Sequence, residues 1–380
     1  MATTLQTQVC MMLAVVVEIS AKKWVVASHG GGTGTIRKIV LSQLTPEARL
    51  AALLAEIDKA GERFGVSRDA RVVVAYEAGQ EGHWLARALR ARSVEVEEID
   101  PKSLQVDRRA KRAKTDRLDA EALVRALWRW MGGDGLALRM VRVPSEVEED
   151  DREWQRERDR LASEQRSCQD RIQKKLRTQG IWINLGRADR KRLREGHLRR
   201  VDGTPLAPVL QQMLTIELDR LEAAQARLKQ LDAQLDKLSV AAARRTERLA
   251  RLRGIGPLGS RTLALLLFWR SFDNRRQVGA CTGLAGTPYD SGESQRDQGI
   301  SKAGDGRVRA TLIELAWLWQ RYQPESAITQ WFKRRTQGAS KRGKRILIVA
   351  VARRLAIALW RYLSRGEIPE GAILKAAPSL

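Results

Sequence analysis

The first part of the chain alternates short apolar runs with amphipathic stretches. The apolar runs are rich in β-branched residues and predict five strands, at residues 11–20, 23–28, 35–41, 71–79 and 94–99. Between them, amphipathic patterns predict helices at residues 46–64 and 83–92, and a further helix is expected to begin near Asp116. The predicted order is βββαβαβα, which indicates a mixed α/β domain.

From Pro144 onward the pattern is one of long helices. A charged stretch without glycine or proline runs to Gly180 and predicts one long, largely solvated helix. After a connection at 186–208, a second helix is predicted over residues 209–252. Its leucines recur at heptad spacing and form two offset rows: Leu214, Leu221, Leu228 and Leu235, with Leu231 and Leu238. Heptads of this length indicate an antiparallel helical hairpin or an intermolecular coiled coil, and we interpret the region as a self-association arm.

A glycine-rich turn follows the second long helix. Residues 252–267 carry Gly254, Gly256 and Gly259 between two apolar helical patterns, at the spacing of a helix-hairpin-helix. Such a turn lets backbone N–H groups at a helix N-terminus approach a DNA phosphate. An ordinary glycine-rich helical turn is the alternative.

Composition indicates a polyanionic partner. The 380 residues include 69 Lys and Arg against 45 Asp and Glu, a formal net charge of +24, and each phosphate that such a surface neutralises releases condensed counterions. Candidate contacts are the basic clusters at 108–114, 187–194 and 333–344. Three scattered cysteines without a CxxC pair predict a reducing compartment and no zinc module. The chain has no apolar run long enough for a membrane span, and we expect a cytoplasmic, nucleoid-associated protein.

Acidic side chains stand at two predicted strand ends and in the first turn of the helix near residue 116. They are Glu18, Glu77, Asp116 and Asp119. The two strand ends can be neighbours and the two aspartates share a helical face, so all four can converge. Carboxylates without nearby His or Cys favour Mg²⁺ or Mn²⁺, and two such ions about 4 Å apart stabilise both oxygens of a phosphoryl displacement. Taken singly, each acid could equally cap and solubilise its element.

The segment at 279–317 is unusually rich in glycine, which implies backbone freedom or close approach to a ligand. Ser291 precedes Gly292 in a predicted tight turn. Four cations follow within reach of a phosphate bound there: Arg296, Lys302, Arg307 and Arg309. A serine hydroxyl needs activation to become a nucleophile. From composition alone Ser291 is not distinguished from Ser294 or Ser301, and a plain turn is the alternative.

Together these motifs resemble the bacterial insertion-sequence transposases of the one-ten group. The resemblance spans about residues 15–363 and is carried by six segments: YEAG at 76–79, KTDRLDAEAL at 114–123, GIG at 254–256, GLAGTPYDSG at 283–292, ISKAGDGRVRATL at 300–312 and AVARRLAIALW at 350–360. It implies a first domain similar to the RuvC junction resolvase, of ribonuclease-H-like fold, at residues 9–140. A coiled-coil arm at 141–248, a mostly α-helical transposase domain at 249–366 and a tail at 367–380 complete the division.

The resemblance also implies the chemistry. Its Asp-Glu-Asp-Asp metal tetrad falls on Glu18, Glu77, Asp116 and Asp119, and its nucleophile falls on Ser291. The implied partners are DNA, a structured bridge RNA that guides target choice, and further copies of the chain, in a dimer or tetramer whose acids and serine meet across protomers.

Two departures from the family pattern stand in this sequence. The family usually has Asp where this chain has Glu18, and Asn is common where it has Asp305. Glutamate keeps the charge and the oxygen ligands but reaches one methylene further, so we expect the metal geometry to adjust. Two rival functions stay open: a RuvC-like nuclease that cuts branched DNA with water as nucleophile, and an inactive relative that only binds nucleic acid.

Overall fold

The structure is a computed structural model that describes residues 10–376 except 32–34, 80–81, 104–115, 235–237 and 292–293. The chain divides into two compact units, Met1–Pro144 and Ser145–Leu380. Within the described residues, no helix is both long and apolar enough to cross a membrane. The basic cluster at 108–114 lies outside the described residues.

The first unit is built on one mixed sheet. Its strands are β1 (Cys10–Ile19), β2 (Trp24–His29), β3 (Arg37–Leu41), β4 (Val66–Glu77), β5 (Glu95–Ile99) and β6 (Met140–Val141). Its helices are α1 (Pro46–Arg63), α2 (Trp84–Arg90) and α3 (Asp116–Met131), and a short 3₁₀ turn lies at Pro101–Ser103. The strand order is β3-β2-β1-β4-β5-β6, in which β1, β4 and β5 are mutually parallel and the other strands pair antiparallel.

Helices cover both faces of this sheet. Residues Leu13, Val15 and Val17 of β1 pack with α1 and α2 in one apolar cluster. Ala14 and Val16, which point the opposite way, pack with α3 in another. Because β1 is buried on both faces, its sequence is a continuous apolar run and shows no alternation.

The mixed α/β prediction for this unit is confirmed. The elements occur in the expected order, with the short β6 added, and the sheet is compatible with a ribonuclease-H-like fold. The largest difference in bounds is at β4, which begins at Val66 although the apolar run begins at Arg71. Residues 67–69 are polar, and Val66 pairs with Cys10 of β1 beyond a register shift. Pairing with β1 therefore extends β4 over residues whose own sequence pattern does not predict a strand.

The second unit is mostly helical. Its elements are α4 (Glu146–Arg177), α5 (Arg187–Arg194), α6 (Pro208–Gln234), α7 (Val240–Ala250), α8 (Pro257–Leu266), α9 (Arg275–Thr282), β7 (Gly286–Ser291), β8 (Ser294–Ile300), α10 (Gly306–Tyr322), α11 (Ala327–Thr336) and α12 (Lys341–Arg365). Helices α7 to α12 surround one apolar core, in which Trp319 is fully buried. A capping box formed by Ser145 and Glu148 fixes the start of α4.

Helices α4 and α6 form an antiparallel hairpin within the chain. Arg171, near the end of α4, pairs with Glu217 early in α6, whereas Arg158 pairs with Asp232 near the end of α6. The heptad leucines of α6 are thereby used against α4: Leu214 and Leu221 are fully buried there. Association between copies of the chain stays a prediction.

The prediction of a single helix over 209–252 was wrong. Helix α6 is described to Gln234, Leu238 and Ser239 are not helical, and the Ser239 side chain caps a new helix, α7, by accepting from the Ala242 amide. Asp151 of α4 accepts from the Ser239 hydroxyl and holds this cap in place. The two helices pack in different apolar clusters, with Leu214 and Leu221 of α6 in one and Leu249 of α7 in another, so leucine spacing did not show that the helix continues.

Candidate functional site

Two of the predicted acids lie side by side in the sheet. The parallel register pairs Val17 of β1 with Tyr76 of β4, so Glu18 and Glu77 each stand one residue beyond that pair. Adjacent strands are about 4.8 Å apart. Both glutamates are half-buried, and Oε2 of Glu18 is shielded from solvent. Side-chain alternation directs both glutamates to the face that α3 covers, because Val16 and Ala75, two residues earlier, pack there.

Three side-chain contacts fix the direction of α3 across that face. Following α3 from its start, Glu121 pairs with Lys38 at 2.5 Å, the Trp128 ring contacts His29 edge-on at 4.7 Å, and the Trp130 ring lies 5.5 Å from the Arg71 guanidinium.

The strand register shows which residue of β1 lies level with each of these contacts. Lys38 lies level with Val16, His29 with Ala14, and Arg71 with Met12. As α3 advances, its contacts therefore move toward the beginning of β1. The helix runs antiparallel to β1 and β4, and its first turn lies toward the ends of those strands.

The first turn of α3 reaches the level of the two glutamates. With a rise of about 1.5 Å per residue, Asp119 and Asp116 stand about 3 and 7.5 Å beyond Glu121 along the axis. Glu18 stands two strand residues, about 7 Å, beyond Val16. The backbones of Asp116 and Asp119 therefore bracket the level of Glu18, on the same face of the sheet.

The donors gathered at this edge are carboxylates. Asp119 is half-buried, and the side chain of Asp116 lies outside the described residues. Among side chains that the structure describes, no three acidic, histidine or cysteine groups close around a single point. An all-oxygen set of this kind fits Mg²⁺ or Mn²⁺ better than Zn²⁺.

A buried polar network lies on the opposite face, behind Glu77. The Tyr76 hydroxyl donates to Glu98 Oε1 at 2.6 Å, and His83 Nδ1 lies 2.8 Å from the same oxygen. Burial, together with the bond to Glu98, raises the pKa of Tyr76. The Ala86 amide also donates to the tyrosine oxygen. The network ties β4, β5 and the start of α2 together next to Glu77. No sequence pattern predicted it, because Tyr76 and Glu98 are 22 residues apart.

The second part of the candidate site is the β7–β8 hairpin. Ser291 is the last residue of β7 and pairs with Ser294, the first residue of β8. The side chains of Ser291 and Arg296 lie outside the described residues, as does Gly292. The backbone therefore places Ser291 at the end of a hairpin away from its base, where Gly286 pairs with Ile300.

The base of this hairpin is held by two glycines in the left-handed region. Gly283 ends α9 with φ of +66°, and Gly304 precedes α10 with φ of +73°. A Cβ at Gly283 would overlap the backbone of Ala303, and one at Gly304 would overlap the carbonyl oxygen of Cys281. The prediction of backbone freedom is confirmed at these two positions, where the close approach is to the protein's own backbone, and close approach to a ligand stays a prediction.

We expect Gly304→Ala to destabilise the second unit by at least about 2 kcal/mol, because it adds the cost of left-handed backbone to an overlap with Cys281. The matched control is Gly306→Ala, in the first turn of α10, where a new Cβ meets only Arg309 Nη2 at 3.6 Å. Thermal unfolding followed by circular dichroism should show a lower midpoint temperature for Gly304→Ala than for the wild type. The control should show no such decrease. Equal midpoints in the two variants would contradict the role given to Gly304.

The cations after the hairpin differ in what they contact. The Arg309 guanidinium donates to the carbonyls of Thr282 and Ala303 and so braces the glycine pair. Arg307 pairs with Asp159 of α4 at 3.3 Å and with Asp305, the cap of α10. Burial raises the pKa of Asp159, and the Arg307 charge opposes that effect. Lys302 is exposed. Contact with phosphate stays a prediction for all of them.

The glycine-rich turn between α7 and α8 has a packing role at two of its positions. Gly254, with φ of +85°, lies against Tyr322 and Leu318, and a Cβ at Gly259 would stand 3.0 Å from Leu315. Gly256 is the N-cap residue of α8, and no side chain forms a capping hydrogen bond at that end. Amide groups at such an end can approach a phosphate. A turn between two helices is present where the helix-hairpin-helix was predicted, and its use in DNA binding stays a prediction.

Comparison with known proteins gives consistent matches. Residues 246–334, which include the β7–β8 hairpin, match the family described as "Transposase IS116/IS110/IS902 family". The chain is 40% identical over 374 residues to "Putative transposase y4rJ" of Sinorhizobium fredii, covering 94% of this chain and 93% of the relative. It is 30% identical to "Probable family 20 transposase" of Pseudomonas aeruginosa over 77% of this chain and 84% of the relative. It is 26% identical to the "Transposase for insertion sequence element IS1328" of Yersinia enterocolitica, over 78% and 85%.

Proposed function

The chain belongs to the IS116/IS110/IS902 family of insertion-sequence transposases, and we propose that it cuts and rejoins DNA with Ser291 as nucleophile and a carboxylate metal site in its first unit. The observation that carries the proposal is that Glu18, Glu77 and the first turn of α3 lie at one level on the same face of the sheet. If each acid only capped or solubilised its own element, the acids would not need to lie at the same level on neighbouring strands and an antiparallel helix.

The proposed reaction conserves phosphodiester energy. The Ser291 Oγ attacks a DNA phosphorus, forms an Oγ–P bond and breaks the bond to a 3′-oxygen. The serine proton passes to water, and the departing 3′-oxygen takes up a proton. A 3′-hydroxyl of another strand then attacks the phosphoserine, restores the serine hydroxyl and joins new partners. Because one phosphoester replaces another at each step, no high-energy cofactor is needed.

The acids have a separate role in this proposal. Glu18, Glu77, Asp116 and Asp119 would hold Mg²⁺ or Mn²⁺, which supplies neutralisation of charge on the phosphate and the leaving oxygen. Glu98, through Tyr76 and His83, holds the end of β4 and so positions Glu77. The serine and the acids need to act on one phosphate, and we propose that they come from different protomers of a dimer or tetramer.

We further propose that a bridge RNA selects the DNA. Support comes from the family membership, from the net charge of +24, and from a sequence without a recognisable zinc finger or DNA-reading helix-turn-helix. Base pairing would then supply sequence choice, and the protein would contact RNA and DNA through backbone and shape.

The test of this function is recombination of a donor plasmid by the purified chain, with and without the noncoding RNA that flanks the element. We expect joined products only when RNA and Mg²⁺ are both present. Exchanging the RNA segment that pairs with the target should redirect joining to the matching new site. Joining at an unchanged site with the altered RNA, or equal joining without RNA, would contradict guidance by RNA.

A further inference from the structure

A basic groove lies in the second unit, apart from the residues assigned above. It has a volume of about 1230 Å³, is formed by α9, α11 and α12, and reaches the base of the β7–β8 hairpin. Five of its arginines come from α12: Arg342, Arg345, Arg353, Arg354 and Arg361. Their spacing of mostly three, four, seven or eight residues places them along one side of the helix.

Two more arginines, Arg275 and Arg276, enter the groove from the first turn of α9. Neither α9 nor α12 has an acidic residue in its first turn. Cations at a helix N-terminus are unfavourable beside the positive end of the helix dipole. A bound anion would offset this at both helix starts.

Among the residues that the structure describes, positive charges outnumber negative charges in the groove. Two glutamates, Glu367 and Glu370, also line it, but among described residues none of the seven arginines forms an ion pair with a carboxylate. The helical hairpin behaves differently. There and in α5, the arginines Arg158, Arg171 and Arg194 each pair with a carboxylate of α6. Concentrated, uncompensated charge on a concave surface attracts a polyanion.

Apolar and aromatic residues also line the groove. Trp331 lies there with the Arg354 guanidinium 4.1 Å above its ring. Ile346 is 62% exposed, although it is a large aliphatic residue, and Val349 and Ile357 continue the same surface. A lining that combines arginines with apolar and aromatic side chains suits a single nucleic-acid strand, whose phosphates pair with the cations and whose bases pack on the apolar surface. Duplex DNA presents its bases only within its grooves.

We propose that this groove binds a single-stranded segment of the substrate DNA next to the phosphodiester that Ser291 attacks. The inference rests on the proposed function for its choice of DNA. It is supported by continuity with the hairpin, since Gly286 and Ile300, which pair at the hairpin base, also line the groove. Ser291 follows Gly286 by five strand residues, about 17 Å of extended chain.

The test measures DNA affinity in the full-length chain carrying Ser291→Ala, so that binding is separated from chemistry. The groove variant is Arg342→Ala, Arg345→Ala and Arg361→Ala together. The control removes the same charge from exposed arginines outside the groove, by Arg63→Ala, Arg166→Ala and Arg227→Ala. The probes are fluorescent single-stranded DNA, and duplex DNA and single-stranded RNA of the same sequence.

We expect the groove variant to lose at least about tenfold in affinity for single-stranded DNA, and its salt dependence to fall by about two units of slope for three lost contacts. The control should bind within about threefold of the parent, because scattered charge makes no defined contact. Arg→Lys at the three groove positions should keep the slope, which separates lost charge from lost folding. Equal losses in groove variant and control, or a larger loss with duplex or RNA, would overturn the proposal.

A parallel measurement of the protein–DNA adduct, with Ser291 intact, separates this inference from the proposed function. If no chain forms an adduct while the groove variant still binds DNA weakly, the serine chemistry fails and the groove stands. If wild type forms an adduct and the groove variant binds DNA normally, the groove fails and the chemistry stands.

Discussion

Replacing Ser291 with alanine is expected to lower strand joining and adduct formation by at least about 10³-fold. The hydroxyl oxygen is the atom that bonds to phosphorus in the proposed reaction, and a methyl group offers no substitute. DNA binding should be unchanged, because the serine makes a covalent bond and is not required for affinity. The measurement is joining of a donor to a target in the presence of Mg²⁺ and the flanking RNA.

The matched controls are Ser294→Ala, directly across the hairpin from Ser291, and Ser301→Ala, just beyond β8. Both remove a hydroxyl from the same glycine-rich segment, and both should retain joining. If Ser291→Ala still cuts DNA at the wild-type rate, water is the nucleophile. The chain would then be a metal-dependent nuclease, and the assignment of Ser291 would be wrong.

Removing the charge of Glu77 should have the second-largest effect, a loss of at least about 10²-fold in cutting and joining. Glu77→Gln keeps the size of the side chain but replaces a charged oxygen ligand with a neutral amide. The same substitution at Asp119, as Asp119→Asn, should behave alike. Cutting is measured at saturating Mg²⁺ and again across a Mg²⁺ titration, since weaker metal binding would move the midpoint to higher concentration.

Glu97→Gln is the control for this prediction. Glu97 pairs with Ala75, so it lies on the same face of the sheet as Glu77 but one row back from the strand ends. It is half-buried, and burial raises its pKa. Removing its charge should leave the Mg²⁺ midpoint in place. Equal effects of Glu77→Gln and Glu97→Gln would show that general electrostatics, and no metal site, explain the loss.

Two additional chains refine the account of the acids. Glu18→Asp introduces the residue usual in the family and should retain activity, because Asp and Glu offer the same donor atoms.

Mixing inactive Ser291→Ala chains with inactive Glu77→Gln chains should restore part of the activity if serine and acids act across protomers. Mixtures that stay inactive would place both halves of the site in one protomer.

The sequence predicted the first unit well because its strands are buried. Runs such as the one ending at Glu18 carry β-branched residues on both faces, and burial explains them directly. It did not predict β6, since two residues carry no pattern, or the early start of β4 at Val66, which depends on pairing with β1. The acids were predicted as a set, but the direction of α3 came only from the contacts of Glu121, Trp128 and Trp130.

The second unit shows the limits of pattern more clearly. Leucine spacing did not reveal the break before Ser239, because Leu238 keeps the heptad spacing although it is not helical. The glycine content indicated an unusual backbone conformation but did not show which contacts require it. Gly283 and Gly304 are 21 residues apart in sequence, and only the folded chain brings each against the other's neighbours. Of the α12 arginines that line the groove, only Arg342 lies in a basic cluster noted from sequence, because they are spread over 20 residues and form a groove only together with α9 and α11.

The most direct measurement is peptide mapping of the protein–DNA adduct. Wild-type chain is incubated with Mg²⁺, the flanking RNA and junction DNA, denatured, digested with protease and nuclease, and analysed by mass spectrometry. We predict one peptide, containing residues 286–296, that carries a nucleotide linked through its phosphate to Ser291. The Ser291→Ala chain should yield no such peptide. Cleaved DNA without any modified peptide, or the modification on another residue, would contradict the account.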